Sequence, residues 1–471
     1  MVNLLSLVLV PALGAVAVAI NSILPRRIKP EYIAASAFLI TSALFFIGVI
    51  VGFSGFSIGI INSIDFAFTL QLNGISLPFL LLAVTLPALG LWSAVKEINS
   101  GKALFYIFYL LSYASLIGVF ISSNLIAFFI FWEIVLISFF FIITFWGEEE
   151  TRRKAGMKFL IFTQFGSLTL LGAFILLFIY TGSFSLGTIS SMISLVPSYI
   201  SYVIFAFVLI TAVIKMPMFP MHSWLPDAHV SAPTAGSVLL AGVLLKLGGY
   251  VLILFGSILL SSVMRSIQIP LMLLGVFTVI YSTLAASSQT DFKKMIAYSS
   301  IFYMGLVFIG IASLNQIGES GSIFLMVSHG FIVGMLFVLA GILKEKTGTR
   351  DLNRLGGLMS KMPLYSVFLV LAVIATLGVP GLSNFVGELL VFIGAYAAYP
   401  ITLVALAGVL IATNYYLSAL KRILYTSLKK TMSGVKDISY ADAVQLSIFS
   451  IFIIIIGVVP IVITNSFSLT I

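Results

Sequence analysis

Apolar runs recur from one end of this chain to the other, and each is about 20 residues long, enough to cross a hydrocarbon core of about 30 Å. Only 8% of the 471 residues are charged, whereas a soluble domain needs roughly a quarter of its residues charged to cover its surface. Lipid must therefore be the solvent for most of the outer surface. Because no polar stretch is long enough to fold separately, the sequence predicts an all-α, multi-pass membrane protein with one membrane domain.

Helical periodicity predicts fourteen membrane helices. Their approximate extents are 2–24, 31–53, 74–95, 104–122, 124–146, 158–180, 200–230, 233–260, 269–289, 294–314, 321–343, 363–398, 400–420 and 440–465. Basic residues follow the first run instead of preceding it, the reverse of a cleavable signal peptide, so we interpret this run as a retained span. The polar segment 65–73 and the Ser- and Gly-rich stretch 181–191 are predicted to be surface loops.

The distribution of lysine and arginine supports this count, since basic residues collect in the cytoplasmic loops of membrane proteins. Loops after odd-numbered helices, beginning with Arg26 and Arg27, hold all but three of the 24 basic residues. The exceptions are Arg265, in an even-numbered loop, and Lys215 and Lys246, inside helices. This bias predicts that both termini lie outside the cytoplasm. It also explains the net charge of +9 without nucleic acid as a partner.

Two predicted helices are too long for one straight span. The segment 200–230 contains three prolines, and the segment 363–398 contains Pro380 and Gly381. Proline removes a helical N–H and clashes with the preceding turn, so helices 7 and 12 are predicted to be broken near mid-membrane. Broken helices at corresponding positions of two halves indicate an inverted-repeat transporter.

This pattern divides the chain into four parts, although no residue-level similarity between the halves supports the inversion. They are a three-helix segment at 1–103, a first five-helix repeat (helices 4–8) at 104–260, a second (helices 9–13) at 261–425, and a C-terminal helix at 426–471. Each repeat is expected to form one half-channel.

Four ionisable residues, Glu133, Lys215, Lys246 and Glu388, lie near the middle of predicted spans. Each costs at least about 2.5 kcal/mol at the bilayer centre, so each must face the bundle interior, water or a partner. Removal from water disfavours the charged form of such groups and lets them exchange protons at physiological pH. Static ion pairs that lock helices together are the alternative. Four charges, two of them beside predicted breaks, favour proton transfer.

Three histidines accompany these charges. His329 is a lone histidine on an apolar helix, either a satisfied core residue or a relay that titrates near neutrality. His222 and His229 lie in the proline-rich segment, with no third ligand at metal spacing, and we interpret them as hydrogen-bonding residues that shape the loop. No metal site is expected.

Asp291, Lys293 and Lys294 begin predicted helix 10 at the cytoplasmic face. Surface anchoring explains these charges adequately, and a role in proton uptake is the alternative.

The chain contains no cysteine, which excludes cysteine-ligated iron–sulfur clusters and disulfides. It also contains no glycine-rich dinucleotide fingerprint after a strand. We therefore expect no redox centre, cofactor or redox chemistry in this chain itself.

Residues 215–250 closely resemble the most distinctive stretch of the antiporter-like subunits of respiratory complex I; they read KMPMFPMHSWLPDAHVSAPTAGSVLLAGVLLKLGGY. Further matches include SNLIAFFIFWE, SSQTDFKKMIAYSSI, FLMVSHGFIVGMLFVLAG and GVPGLSNFVGE, and together they cover about 110–430. The chain is most similar to the M-type subunit, the homologue of NADH dehydrogenase subunit 4, which is related to subunits of multi-subunit sodium/proton antiporters.

The resemblance implies fourteen helices with inverted five-helix repeats, and it implies roles. Glu133 matches a glutamate that pairs with Lys215 and tunes it, and Lys246 matches the central relay lysine. Glu388 matches the terminal proton site, with His329 between them. Glutamate at position 388 resembles the M-type, since the L- and N-type and antiporter subunits have lysine there.

Two departures from the family pattern are visible. Asn73 replaces an aspartate before helix 3, and Tyr303 replaces a histidine in helix 10. We give the name central row to the ionisable residues Glu133, Lys215, Lys246, His329 and Glu388. We expect neither change to touch the central row.

The resemblance implies a proton-translocating subunit that couples electron transfer in partner subunits to proton pumping, within a donor:quinone oxidoreductase. Its partners would be membrane-arm subunits, including homologous antiporter-like ones, the bilayer and, indirectly, a peripheral arm. That arm would carry any iron–sulfur cluster, flavin or quinone. The expected location is a prokaryotic cell membrane. The alternatives are a subunit of a membrane-bound hydrogenase or multi-subunit sodium/proton antiporter, and a non-conducting scaffold.

Overall fold

The structure, a computed structural model, describes residues 1–24, 28–61 and 66–467. Arg26 and Arg27, which contribute to the predicted charge bias, and Asp65, which begins the first predicted loop, lie outside the described residues.

Helices make up most of the described chain. In chain order they are α1 Leu4–Ile23, α2 Pro30–Val51, α3 Ser76–Glu97, α4 Lys102–Ile121, α5 Leu125–Trp146, α6 Arg152–Thr181, α7 Leu186–Met192, α8 Ser198–Lys215, α9 Trp224–Ser231, α10 Thr234–Leu259, α11 Ser261–Ser266, α12 Gln268–Ser287, α13 Phe292–Ala312, α14 Gln316–Thr347, α15 Pro363–Thr376, α16 Ser383–Ala398, α17 Pro400–Tyr425, α18 Tyr440–Val458 and α19 Ile461–Thr464.

Within the described ranges, 13 helices are long and apolar enough to cross a membrane. The prediction of a multi-pass helical membrane protein is confirmed, and each of the fourteen predicted helices has a counterpart. Predicted helix 7 corresponds to α8 and α9, and predicted helix 12 corresponds to α15 and α16. The inverted relation of the two five-helix repeats stays a prediction.

Both predicted surface loops contain regular structure, so those predictions are wrong in part. The described residues include four short strands: β1 Val2–Asn3, β2 Phe53–Ser54, β3 Phe56–Ile61 and β4 Phe66–Leu70. Strand β4 pairs antiparallel with β3, and β1 pairs parallel with β2. The alternation in FAFTL supports a strand. The second loop contains α7, which buries Leu186 and Ile189 on one face.

The centre of the bundle consists of α10 and α14, which are buried along their whole hydrophobic length. Their backbones approach closely, because a Cβ added at Gly330 would lie 3.0 Å from the Gly242 carbonyl oxygen. Small residues allow such contact between membrane helices. Helix α10 is π-helical over Leu240–Leu244 and Leu252–Leu259, and π-turns inside helices are frequent at functional sites.

Predicted helix 7, which corresponds to α8 and α9, is broken at its prolines as expected. Helix α8 ends at Lys215 and α9 begins at Trp224. The indole N–H of Trp224 donates to the Ile214 carbonyl oxygen at 3.0 Å, so one backbone acceptor freed by the break is satisfied by a side chain. Other polar groups freed by such a break must find protein or water inside the membrane.

Helix 12 is broken between Thr376 and Ser383. Gly378 and Gly381 take the left-handed conformation there, with φ of +65° and +90°. Glycine adopts this conformation at little cost. The predicted break is confirmed.

We expect Gly248→Ala to destabilise the bundle, because the new Cβ would lie 2.9 Å from the Met216 nitrogen and 3.0 Å from the Ala212 carbonyl oxygen at the end of α8. Such overpacking costs about 1–3 kcal/mol. Thermal unfolding of the detergent-purified protein checks this, with Gly187→Ala as the control, since a Cβ there meets nothing closer than 4.0 Å. Equal melting temperatures for the two variants would contradict the packing argument.

Candidate functional site

Lys215 is the last residue of α8 and is fully buried. Its Nζ lies 4.8 Å from the centroid of the Trp132 ring, a cation–π geometry. The Trp132 indole N–H donates to the Ser167 hydroxyl at 3.0 Å, which fixes the ring on α5. The lysine thus faces an aromatic surface where its helix breaks.

Glu133 follows Trp132 on α5 and is half-buried. It interacts electrostatically with Lys215, but neither Glu133 Oε1 nor Lys215 Nζ has a hydrogen-bond partner among the residues that the structure describes. The structure therefore brings the two residues together without a direct hydrogen bond. A carboxylate that is not hydrogen-bonded to the lysine changes its electrostatic environment and leaves its protons free to transfer.

Lys246 and His329 are in direct contact at the centre of the bundle. Lys246 Nζ lies 2.8 Å from His329 Nδ1 and also donates to the Ala241 carbonyl oxygen, inside a π-helical turn. Both side chains are buried. His329 Nε2 has no partner among the described residues. Imidazole has one nitrogen facing the lysine and a second available to another group, the arrangement that a relay needs.

Glu388 lies on α16 beside the break in helix 12 and is 8% exposed. A Cβ at Gly378 would lie 2.7 Å from Glu388 Oε2, so the carboxyl packs directly against the interrupted backbone. One turn earlier, Asn384 accepts a hydrogen bond from the Ser328 hydroxyl, and Ser328 also lies 2.9 Å from the Ser383 hydroxyl. Since Ser328 precedes His329, polar groups connect α14 to the break.

Tyr303 occupies the space between His329 and Glu388. Its ring centroid lies 5.0 Å from that of His329, and its hydroxyl donates to the Thr376 carbonyl oxygen and interacts with Glu388. The expectation that this position does not touch the central row is wrong. Sequence reasoning missed the contact because it depends on the rotation of α13 against α14 and α16.

The other departure, Asn73, is connected to the helix of Lys246. Its amide donates to the Tyr250 hydroxyl at 2.6 Å, and Tyr250 lies one turn after Lys246 on α10. It does not contact the row directly, as expected.

The four intramembrane charges are not locked together. In the described ranges no salt bridge joins two of them, and the salt bridges present lie near helix ends on the predicted cytoplasmic side. This geometry does not support the alternative of static ion pairs.

The interpretation of His222 and His229 as loop-shaping hydrogen bonders is wrong. In the described part of the chain, both ring nitrogens of His229 lack hydrogen-bond partners, and its ring stacks on that of Phe337 with centroids 4.5 Å apart. His222 Nδ1 also has no partner, and its ring packs against Tyr281. Aromatic neighbours hold both rings instead. His229 also interacts electrostatically with Lys246 and His329.

A cavity of about 720 Å³, lined by several charged residues, opens near the ends of α3, α5, α13 and α14 that are predicted to be cytoplasmic. Lys293 lines it, buried to 3% exposure, with its Nζ donating to the Ala232 carbonyl oxygen at 2.7 Å. Surface anchoring therefore does not describe Lys293. It does describe Asp291, which accepts from the Lys294 backbone N–H as the N-cap of α13 and pairs with Arg350. Lys294 itself is half-exposed.

Glu148 lies between α5 and α6 and pairs with two basic residues at the cavity. Its carboxylate lies 2.8 Å from Lys344 Nζ and 2.9 Å from Arg350 Nη2. Burial raises the pKa of Glu148, but the hydrogen bond from Lys344 and the charges of Arg350, Lys344 and Lys293 outweigh burial, so the pKa lies below its ordinary value. The carboxylate stays charged and holds the cavity rim together.

No group of three His, Cys, Asp or Glu residues that could hold a metal ion occurs in the described part of the chain. The histidines and carboxylates of the row are spread along the bundle instead of converging on one point.

Comparison with known proteins decides the family. Residues 122–413 match the family described as NADH:quinone oxidoreductase/Mrp antiporter, TM. The chain belongs to this family. A curated relative within it, NADH-quinone oxidoreductase subunit M of Rickettsia bellii, is 36% identical over 87% of this chain and 83% of its own. The F(420)H(2) dehydrogenase subunit M of Methanosarcina mazei is 35% identical over 83% and 81%.

Solved structures show the same fold. A chain of respiratory complex I from Thermus thermophilus with bound NADH superposes with a TM-score of 0.89 and 27% identity, covering 98% of this chain and 97% of that one. A chain of an archaeal membrane-bound sulfane sulfur reductase superposes with a TM-score of 0.87 at 23% identity, over 98% of this chain and 76% of that one, which shows the fold alone.

For this member of the NADH:quinone oxidoreductase/Mrp antiporter family we expect Glu148→Gln to lower stability at pH 7 and not at about pH 3. A carboxyl whose folded pKa is lowered stabilises the fold above its unfolded pKa, and this stabilisation is lost as pH falls through the folded pKa. Because the carboxylate is a third exposed, the effect is at most about 1 kcal/mol.

Thermal unfolding at the two pH values checks this prediction. Glu149→Gln, at an exposed neighbouring position without a salt bridge in the described chain, is the control. A loss of stability in Glu148→Gln that is equal at both pH values would contradict it.

Proposed function

We propose that this chain is a proton-translocating, antiporter-like subunit of a complex I-like respiratory enzyme, coupling electron transfer in partner subunits to proton movement across the membrane. The observation that carries the proposal is the contact between Lys246 Nζ and His329 Nδ1, buried between two broken helices. Family membership and the relatives named above support the same function.

The central step is proton transfer within this pair. A protonated Lys246 donates to neutral His329 at Nδ1, leaving a neutral amine and an imidazolium whose Nε2–H faces away from the lysine. Release from Nε2 returns the imidazole to its neutral form, with its other nitrogen protonated. Burial makes both charged forms costly, so neither holds the charge tightly.

Lys215 and Glu133 supply and control the charge at one end of the row. The carboxylate of Glu133 stabilises the Lys215 ammonium through space. If α5 moves Glu133 away, the ammonium loses that support and releases its proton towards Lys246. Glu388, beside the second break, accepts the charge at the other end.

Proton uptake fits the cytoplasmic cavity. Lys293 lines this cavity, and His229 interacts electrostatically with Lys293 and Lys246. Neither ring nitrogen of His229 has a hydrogen-bond partner within the described ranges. We assign it, with Lys293, to the uptake route, while Asp291 positions the start of α13 and Lys294 and His222 lie beside the route.

The edges of the row suit homologous partners. On α5, Ile130 and Ile137 flank Glu133 and are 42% and 47% exposed. On α16, Leu389 and Ile393 near Glu388 are 46% and 45% exposed. Antiporter-like subunits packed on both faces would keep Glu133 and Glu388 away from lipid, as a charge inside the membrane requires.

The redox groups belong to partner subunits in this proposal. The chain has no cysteine, and we assign iron–sulfur clusters, flavin and quinone to the subunits of a peripheral arm. Both termini lie outside the cytoplasm of a prokaryotic cell, as the lysine and arginine distribution supports. Residues 104–260 and 261–425 act as two half-channels, with 1–103 and 426–471 as flanking helices.

We expect Lys246→Met to lower donor-driven proton pumping at least about tenfold, because methionine keeps the unbranched shape and most of the length of the side chain and removes its transferable proton. Pumping is measured as acidification of inverted membrane vesicles that oxidise NADH or F420H2. Lys102→Met is the control, since Lys102 is partly exposed and forms only a 3.5 Å contact with Glu31.

Normal pumping by Lys246→Met vesicles, with this subunit present, would favour a non-conducting scaffold. Sodium-dependent acidification in the unaltered vesicles would favour a sodium/proton antiporter subunit.

A further inference from the structure

Tyr303 lies where the relay meets the second helix break. It is buried on α13, with its ring against His329 and its hydroxyl between the end of α15 and Glu388. The other titratable groups that interact with it are Tyr415 and Tyr416 of α17. Of these, Tyr416 is already bonded to the Ser299 hydroxyl at 2.6 Å.

The Tyr303 hydroxyl has a single proton and two acceptors within reach. It donates to the carbonyl oxygen of Thr376, the last residue of α15. The Glu388 carboxyl is the second acceptor. A phenolic hydroxyl donates to one acceptor at a time, so a bond to one group excludes the other.

The charge of Glu388 decides which acceptor is preferred. An ionised carboxylate binds a hydroxyl proton more strongly than a neutral carbonyl does. A protonated carboxyl has its own proton to donate and needs no second donor. The hydroxyl then returns to Thr376, whose carbonyl oxygen otherwise has, among the described residues, only the long 3.5 Å contact from the Asn384 amide.

We propose that Tyr303 is a positioning residue whose hydroxyl exchanges between the Thr376 carbonyl and the Glu388 carboxyl, coupling proton arrival at Glu388 to the break in helix 12. This inference rests on the proposed function and adds a residue and a device to it. When Glu388 is charged, the hydroxyl donates to the carboxylate, and the Thr376 carbonyl at the end of α15 loses the hydrogen bond from Tyr303. When Glu388 is protonated, the hydroxyl fastens α15 again.

The coupling has a direction. Proton release from Glu388 frees the carbonyl at the end of α15, and proton uptake restores its hydrogen bond. A single net hydrogen bond is worth about 0.5–1.5 kcal/mol, roughly a factor of 2 to 10 in the equilibrium between the two arrangements. The conformation of the break in helix 12 therefore depends on whether Glu388 is protonated.

The test compares Tyr303→Phe with Tyr365→Phe in the complete membrane-bound enzyme. Both changes remove one buried tyrosine hydroxyl that donates to a backbone carbonyl, and Tyr365 donates to Leu339 at 3.2 Å, away from Glu388. The phenylalanine ring keeps the contact with His329. Proton pumping and the infrared carboxyl C=O band assigned by Glu388→Gln are measured for each variant.

We expect Tyr303→Phe to lower pumping about 2- to 10-fold and to shift the Glu388 band, whereas Tyr365→Phe changes neither. In a Glu388→Gln background, Tyr303→Phe should have no further effect, because the hydroxyl acts through that carboxyl.

An unshifted band and pumping equal to that of Tyr365→Phe would overturn the inference while leaving the proposed function intact, provided that Lys246→Met abolishes pumping in the same vesicles. Normal pumping by Lys246→Met would overturn both. An additive loss in the Glu388→Gln background would also overturn the inference, since it would mean that Tyr303 acts through another group.

Discussion

The contact between Lys246 and His329 joins the two helices that form the centre of the bundle, and the rest of the site is arranged around it. A lysine and a histidine fully removed from water would be costly if they were isolated. The 2.8 Å contact and the Ala241 carbonyl give the ammonium two partners. The carbonyl comes from a π-helical turn, so local irregularity of α10 serves the same pair.

Close packing and helix interruption act together. Glycines at 242 and 330 let α10 and α14 approach at the depth of the pair, and Gly248 lets α10 touch the end of α8. At the two breaks, backbone carbonyls meet side chains: Ile214 accepts from Trp224, and Thr376 accepts from Tyr303. The interruptions thereby place backbone acceptors beside Lys215 and Glu388, where an unbroken helix would present none.

Charged residues are paired directly near the helix ends but, among the described residues, not in the middle of the bundle. Near the helix ends on the predicted cytoplasmic side, direct salt bridges around the cavity join Glu148, Lys344, Arg350 and Asp291. In the middle of the described bundle, no salt bridge joins two of the row's charges. Direct pairing would hold protons in place, whereas spaced charges influence one another and can still exchange protons. The arrangement fits a rim whose charges are held in salt bridges and an interior whose charged groups can exchange protons.

The sequence by itself determined the class of protein, the number of spans, both helix breaks and the residues that carry charge into the membrane. These follow from hydropathy, from the missing N–H of proline and from the cost of burying charge, and each acts over a few neighbouring residues. The strand β4 and the helix α7 were missed because short elements beside long spans give weak periodic signals.

Only the tertiary structure decided which of these residues touch. Lys246 and His329 are separated by 83 positions, and their contact depends on how α10 and α14 are rotated and aligned along their length. The same applies to Tyr303, which faces the row, to Lys293, which is buried, and to His229, whose ring nitrogens have no hydrogen-bond partner in the described chain. A local pattern states which face of a helix is polar, but the packing of several helices sets the neighbour that this face meets.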